Sequence, residues 1–358
     1  MKQRINDLSI SKESTLKDAL HKMDSIGRKL LIILDDDGKF YSLISIGDIQ
    51  RSIISNMGLN TSLKKVLRSN ISVATEDEDI DKIKKRMLVR RNEFMPIISS
   101  EGKILKIIFW EELFESSLPK SNKKCDIPVV IMAGGEGRRL KPLTNVLPKP
   151  LLPIGEKTVI EIIMDKFLEL GSNRFYISLN YKADLIEYYL NGLQNNKYSI
   201  QYLKEFNPLG TAGSLHLLKG KIGQTFFITN CDILIDQDYS EILDYHNDNK
   251  NEITIVSAIK SISIPYGVLK TSKNSTLKEI SEKPEFTINI NTGFYVLEPG
   301  LINEIPEHAF FHITWLIDKV IDRKGRIGVF PISDGSWTDI GNWDEYLTFL
   351  KRLNNSQD

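Results

Sequence analysis

Apolar positions in the first third of the chain follow one pattern written twice. STLKDALHKM at 14–23 and EDIDKIKKRM at 78–87 both place apolar residues at helical spacing. LLIIL at 30–34 and FMPII at 94–98 read as short buried strands, each running into a polar turn, DDDGK or SSEGK. A shift of 64 positions carries Met23 onto Met87, Ile33 onto Ile97, Gly38 onto Gly102, Lys39 onto Lys103 and Ile49 onto Leu113 without a gap. Each copy predicts helix, strand, turn, strand, helix, and the duplication predicts a two-fold pair burying a shared core.

The stretch ESSLPKSNKKCD, 115–126, has linker composition, so a smaller α+β unit is expected over 1–117, a linker over 118–126 and a second unit over 127–358. Beyond the linker the period alternates. An apolar strand at 127–133 is followed by a helix at 157–170, strand 174–179, helix 183–191, strand 198–203, helix 211–219 and strand 225–229. That order predicts an α/β fold, a mostly parallel sheet with helices on both faces and ligands at the carboxyl ends of its strands. Residues 343–353 read as an amphipathic helix.

Composition narrows the function. With 358 residues the chain is long for one folding unit, and 41% hydrophobic with 26% charged residues is ordinary globular composition. Lys plus Arg equals Asp plus Glu at 47 each, so no global field favours a polyanion, and neither nucleic acid nor a membrane is an expected partner. Cys125 and Cys231 are too few for a disulfide framework or a four-cysteine zinc site. The first residues lack the apolar core of a signal peptide, and no apolar run approaches the ~18 residues that cross a bilayer. A soluble, cytoplasmic protein is expected.

The candidate chemistry begins where the 127–133 strand meets Gly134-Gly135-Glu136-Gly137-Arg138-Arg139-Leu140. Glycines let the main chain approach an anion and aim successive N–H groups at it. A dinucleotide fingerprint would need glycine at 140, and a Walker A loop would need Lys then Ser or Thr after its last glycine; both fail. The continuous stretch GGEGRRLKPLTNVLPKPLLPIGEKTVIE, 134–161, resembles the signature of sugar-1-phosphate nucleotidylyltransferases. Arg139, Leu140, Pro142, Leu143, Thr144, Pro148, Lys149 and Pro150 occupy its ordered positions.

The resemblance implies roles residue by residue. Backbone groups of Ala133, Gly134, Gly135 and Gly137 would cradle a nucleoside triphosphate, Arg139 would contact the departing pyrophosphate and Lys149 the attacked phosphate. Arg138 is expected to be solvated. EFNPLGTAGS, 205–214, is similar to the nucleobase segment, with Glu205 reading the base and Gly210 letting the ring lie close. A carboxylate offers only acceptors, which matches the adjacent N–H donors of guanine and favours GTP. Asp232, after the 225–229 strand, and Asp339, in Trp337-Thr338-Asp339-Ile340-Gly341, correspond to the family's Mg2+ ligands, and Cys231 beside the first reads as packing. Gly267, Glu282, Lys283, Asn291 and Thr292 correspond to the segments that form the sugar 1-phosphate pocket.

The duplicated unit resembles a pair of CBS domains. Ser42-Leu43-Ile44-Ser45-Ile46-Gly47-Asp48 carries the resemblance, which implies an adenine nucleotide with Ser45 toward phosphate and Asp48 on ribose. In the second copy Phe109 and Glu112 stand at those positions, so one site of two would keep its chemistry. The alternative is a pair that only packs and dimerises; a homo-oligomer is the expected assembly. The combined architecture is similar to a bacterial subgroup in surface-sugar synthesis that makes GDP-activated sugars, including the GDP-glucosamine that opens a legionaminic acid route. Mannose- or heptose-1-phosphate guanylyltransferase, a glucose-1-phosphate uridylyl- or thymidylyltransferase, and a non-catalytic nucleotide sensor are the alternatives.

Overall fold

A computed structural model describes residues 2–68, 71–90, 92–114, 123–193 and 196–355. The chain divides into two compact units, Met1–Asn122 with Ser333–Gly335, and Lys123–Ile332 with Ser336–Asp358. Of the segment expected as a linker, 118–122 lies outside the described residues. No helix among the described residues is long and apolar enough to cross a membrane.

In the first unit the 64-residue repeat persists in three dimensions. Leu30–Leu34 and Phe40–Ser45 pair antiparallel, as do Phe94–Ile98 and Ile104–Phe109, and the register shift between Ile33 and Leu34 recurs between Ile97 and Ile98. A parallel edge strand completes each three-stranded sheet, Ser9–Ser11 in one and Ala74–Thr75 in the other. The helix Leu16–Ile26 buries Leu16, Ala19, Leu20 and Met23, the i, i+3, i+4, i+7 stripe read from the sequence. Thr15 and Asp18 close a capping box at its start, and Gly27 ends it at φ 64°, a left-handed conformation natural to glycine. Its counterpart is Ile80–Arg90. Ile32 and Leu43 of one copy share a cluster with Phe94 and Ile107 of the other, which is the shared core that the duplication predicts.

The copies part at their last helix. Ile46–Ile54 is capped by Ser45, whose side chain accepts from the Asp48 N–H while Asp48 accepts from the Ser45 N–H. Phe109 at the matching position has no cap to offer, and Trp110–Leu113 is a single turn.

The second unit is built on a seven-stranded sheet in the order Ser199–Lys204, Arg174–Leu179, Val129–Met132, Phe226–Asn230, Glu285–Leu297, Ile253–Ser263, Ile327–Ser333. Parallel ladders join the first four strands, as the alternating pattern predicts. Glu285–Leu297 then runs antiparallel to both of its neighbours. Val129 and Ile131 fall in one core cluster and Val130 in another, so the central strand is buried on both faces. The helices Val159–Leu170 and Ala183–Gly192 cover the first face, and Ile313–Asp322 covers the second.

One expected helix takes another form. Residues 211–219 hold a 3-10 helix at Gly213–Leu218, because the Ala212 and Gly213 N–H groups both donate to the Phe311 carbonyl at 3.0 and 3.1 Å. A Cβ on Gly213 would lie 2.6 Å from the Ala309 oxygen, so the chain there is set by a neighbouring segment.

Phe167, fully buried on Val159–Leu170, meets the rings of Tyr239, Phe227, Phe294 and Phe175 at centroid distances of 4.9, 5.4, 5.9 and 6.5 Å. Phe167→Ala is expected to destabilise this unit by about 3–5 kcal/mol in urea unfolding followed by circular dichroism. A loss below ~1 kcal/mol would show that the aromatic cluster is not the centre of this core.

Candidate functional site

The site grows from the carboxyl ends of the parallel strands. Val129–Met132 leads into Ala133, buried, whose N–H donates to the Ser178 carbonyl on the neighbouring strand at 3.0 Å. Gly134–Gly137 then turns the chain away. Gly137 has φ 63°, and a Cβ there would lie 2.9 Å from Thr144 Cγ2 and 3.3 Å from Lys149 Cβ. Thr144 donates its hydroxyl to the Gly137 carbonyl at 3.0 Å. The glycine turn is thereby locked onto the segment carrying Lys149. Arg138 is exposed and paired with Glu136 at 2.8 Å, the solvated role expected of it.

Two further strands bring in the carboxylates. Ile233–Ile235 pairs antiparallel with Trp337–Asp339, setting Ile233 opposite Asp339, and the Ile340 N–H donates to the Asp232 carbonyl at 2.9 Å. Asp232 forms an ion pair with the buried Lys149 ammonium. Asp339 accepts from the Gly341 N–H at 2.7 Å and lies 3.8 Å from the Arg139 guanidinium. All of this converges on Gly341. A Cβ there would sit 2.5 Å from Asp339 Oδ1, 2.7 Å from an Arg139 nitrogen and 3.0 Å from Lys149 Nζ. Four residues expected to act together, Arg139, Lys149, Asp232 and Asp339, are thus placed together, two cations interleaved with two carboxylates.

Oxygen-only donors of this kind suit a small hard cation such as Mg2+, which completes its shell with water and phosphate oxygens. Among the described residues no group of three or more His, Cys, Asp or Glu could hold a metal unaided. Cys231 is buried beside Asp232, and burial pushes its thiol up to about 12, in keeping with a packing residue.

Glu205 is held on every side. Its Oε1 accepts from the Ser178 hydroxyl and its Oε2 from the Leu209 N–H at 2.9 Å. Its N–H donates to the Leu179 carbonyl and its carbonyl accepts from Asn180 Nδ2, each at 2.9 Å. A Cβ on Gly134 would lie 3.2 Å from Oε1, so the carboxylate rests against the glycine turn. Gly210 has φ 80°. What it makes room for is the Phe311 carbonyl, 2.7 Å from where a Cβ would be, so backbone packing already requires glycine there.

The expected sugar residues fall into two groups. Gly267, Glu282 and Lys283 are exposed at the base of the hairpin Val268–Thr271 and Leu277–Ser281, where a Cβ on Gly267 would lie 2.9 Å from Glu282 Oε2. Asn291 donates to the Tyr295 hydroxyl at 2.8 Å and accepts from the Gly293 N–H at 3.0 Å. Gly293, at φ 82°, packs against Asn230, where a Cβ would lie 2.4 Å from Nδ2, and so ties the Asn291 segment to the strand end before Asp232. Thr292 is a correction: it is buried, and its hydroxyl donates to the Val256 carbonyl at 2.8 Å inside the sheet.

In the first unit, the Ser45 hydroxyl lies 2.7 Å from Asp48 Oδ2, and Asp48 Oδ1 takes Arg51 at 2.6 Å and Arg68 at 2.8 Å. Asp48 is only 4% exposed. The hydroxyl and carboxylate expected to meet phosphate and ribose are committed to a helix cap, and the exposed cations at this helix start are Arg51 and Arg68.

Sequence reasoning missed Ser178 and Asn180, and it gave no role to Ser214 and Gly341 although both lie inside motifs it quoted. The available signals were a serine near the carboxyl end of an otherwise apolar parallel strand and a glycine two residues past a candidate ligand.

A family model described as nucleotidyl transferase matches residues 128–356, more than half of the chain, and one described as CBS domain matches residues 4–55. A mannose-1-phosphate guanyltransferase of Aspergillus oryzae is 32% identical over 227 residues, 61% of this chain and 62% of that protein. Mannose-1-phosphate guanylyltransferase 1 of Arabidopsis thaliana is 27% identical over 230 residues, 62% of this chain and 63% of that protein. The chain therefore spans less than two thirds of the length of these relatives. HddC from Yersinia pseudotuberculosis has a TM-score of 0.50 and 27% identity, covering 63% of this chain and 99% of that one. Its structure complexed with GMP-PN has a TM-score of 0.50 and 25% identity over the same shares.

Proposed function

The chain belongs to the nucleotidyl transferase family and carries a CBS domain, and from that premise we propose that it transfers a guanylyl group from GTP to a sugar 1-phosphate, releasing pyrophosphate. The observation that carries the reading is the meeting of Arg139, Lys149 and Asp339 around Gly341, with Asp232 paired to Lys149. Relatives named as guanyltransferases and a structural neighbour complexed with GMP-PN support the base.

In this reading the sugar phosphate oxygen attacks the α phosphorus in line and expels pyrophosphate, with no covalent intermediate. The chain contributes position and charge. Amides of 134–137 and Arg139 hold the leaving pyrophosphate, and Lys149 neutralises charge on the attacked phosphate. Asp232 and Asp339 would hold Mg2+, which when bound neutralises the triphosphate. Glu205 accepts from guanine N–H groups. Lys283 holds the sugar phosphate, and Glu282 and Asn291 take sugar hydroxyls. The proposed sugar is glucosamine 1-phosphate, on the architecture of a CBS domain joined to a transferase, within a cytoplasmic homo-oligomer. A second reading, mannose 1-phosphate, is favoured by the names of the curated relatives. An adenine nucleotide at the CBS unit would meet Arg51 and Arg68 at the start of Ile46–Ile54.

Asp232→Asn and Asp339→Asn are each expected to lower turnover at least ~100-fold, with circular dichroism unchanged in Asp339→Asn and a lowered Tm in Asp232→Asn, which leaves Lys149 unpaired. Near-normal pyrophosphate release by Asp339→Asn would remove it from the metal site. Four nucleoside triphosphates tested against glucosamine, mannose, heptose and glucose 1-phosphates are expected to give the highest kcat/KM for GTP with glucosamine 1-phosphate. A decisive preference for UTP or dTTP would refute the guanylyl reading. AMP or ATP is expected to raise the Tm of the wild type and not of Arg51→Ala/Arg68→Ala; equal shifts in both would place the nucleotide elsewhere.

A further inference from the structure

Ser178 and Ser214 are fully buried hydroxyls in apolar surroundings, Ser178 in the strand Arg174–Leu179 and Ser214 at the start of the 3-10 helix Gly213–Leu218. Burying a hydroxyl is unfavourable unless it is hydrogen-bonded, so such a pair calls for a reason. The geometry supplies one. The Ser178 hydroxyl donates to Glu205 Oε1, and the Ser214 oxygen lies 2.9 Å from the Ser178 oxygen. A hydroxyl has one proton. With that of Ser178 directed to Glu205, the proton of the serine pair is Ser214's, and the chain runs Ser214 to Ser178 to Glu205.

We infer that Ser178, backed by Ser214, is a positioning residue for base selection, holding the Glu205 carboxylate in the one rotation that turns a lone pair of each oxygen toward two adjacent N–H donors. The inference rests on the guanylyl reading and deepens it. An ionised carboxylate has about four lone-pair sites. One on Oε1 is taken by Ser178 and one on Oε2 by the Leu209 N–H, leaving one on each. Guanine N1–H and N2–H are adjacent donors matched to such a pair. The glutamate backbone is fixed at both its N–H and its carbonyl, so the remaining freedom lies in the side-chain torsions; the Leu209 N–H holds one oxygen and the Ser178 hydroxyl the other, which together fix the carboxylate plane. A loop anchor alone would need only the Leu209 contact. Ser178 fixes the second oxygen, the one against Gly134.

Steady-state kinetics with GTP and with inosine triphosphate, which lacks the N2 amino group, test this. The wild type is expected to favour GTP over inosine triphosphate by about 10- to 100-fold, the range for one hydrogen bond to a charged group. In Ser178→Ala, kcat/KM for GTP should fall about 10-fold, nearly all of it in KM, and the GTP to inosine triphosphate ratio should collapse below about 3. Equal losses with both nucleotides would mean that Ser178 only steadies the loop, and the inference fails. No discrimination between the two by a GTP-preferring wild type also overturns it. Preference of the wild type for a pyrimidine nucleotide sinks the guanylyl reading itself, a result distinct from the other two. Should Ser178→Ala not fold, Ser214→Ala removes the backing donor; an unchanged ratio there overturns the inference, and a ratio reduced about 3-fold or more supports it.

Discussion

The second unit depends on one local arrangement: two carboxylates and two cations forced together where strand Ile233–Ile235 meets strand Trp337–Asp339. Lys149 is nearly buried, and an unpaired charge at that depth would be strongly destabilising. Asp232 answers it directly, and Arg139 stands against Asp339. Asp339, Arg139 and Lys149 can approach this closely only because Gly341 presents no side chain. The same constraint explains the glycine at 137, which lets the turn fold down onto Thr144 and Lys149.

Electrostatic preorganisation of this kind is what phosphoryl-type chemistry asks of a protein. Two cations and two carboxylates are already paired here, and Gly137 of the glycine turn packs directly on the Lys149 segment. The parallel half of the sheet leads into the glycine turn and into Asp232, 3-10 turns carry Arg139 and Lys149, and the separate antiparallel pair brings in Asp339. The antiparallel half supplies the Asn291 segment, held to the parallel half by the packing of Gly293 on Asn230. Glu205 belongs to the parallel half, on a loop whose shape is fixed by Phe311 and whose carboxylate is fixed by Ser178.

The first unit shows how one residue type decides an element. Two copies share their first helix and both strands of the hairpin to the residue, down to a bulge. Ser45 gives one copy a nine-residue helix with a reciprocal cap; Phe109 leaves the other a single turn. The reading of Ser45 and Asp48 as ligand contacts and their observed role as a cap rest on the same chemistry, since a hydroxyl and a carboxylate three residues apart at a helix start meet each other's backbone N–H groups before they meet anything else.

Much was legible without coordinates. Periodicity placed the duplicated unit, the strand at 174–179, a strand at 225–229 that is observed as Phe226–Asn230 and a helix at 157–170 that is observed as Val159–Leu170, because burial of one face imposes a local period. Arg139, Lys149, Asp232 and Asp339 were named through the resemblance of their motifs to the nucleotidylyltransferase signature. What only the tertiary structure decided were contacts between distant segments. Gly210 answers to Phe311, Thr292 to Val256, Gly341 to Arg139 and Lys149, and Ser178 to Glu205. None of these leaves a period in the sequence, since each is a steric or hydrogen-bonding demand made by a residue tens to hundreds of positions away, and such demands exist only once the chain has folded.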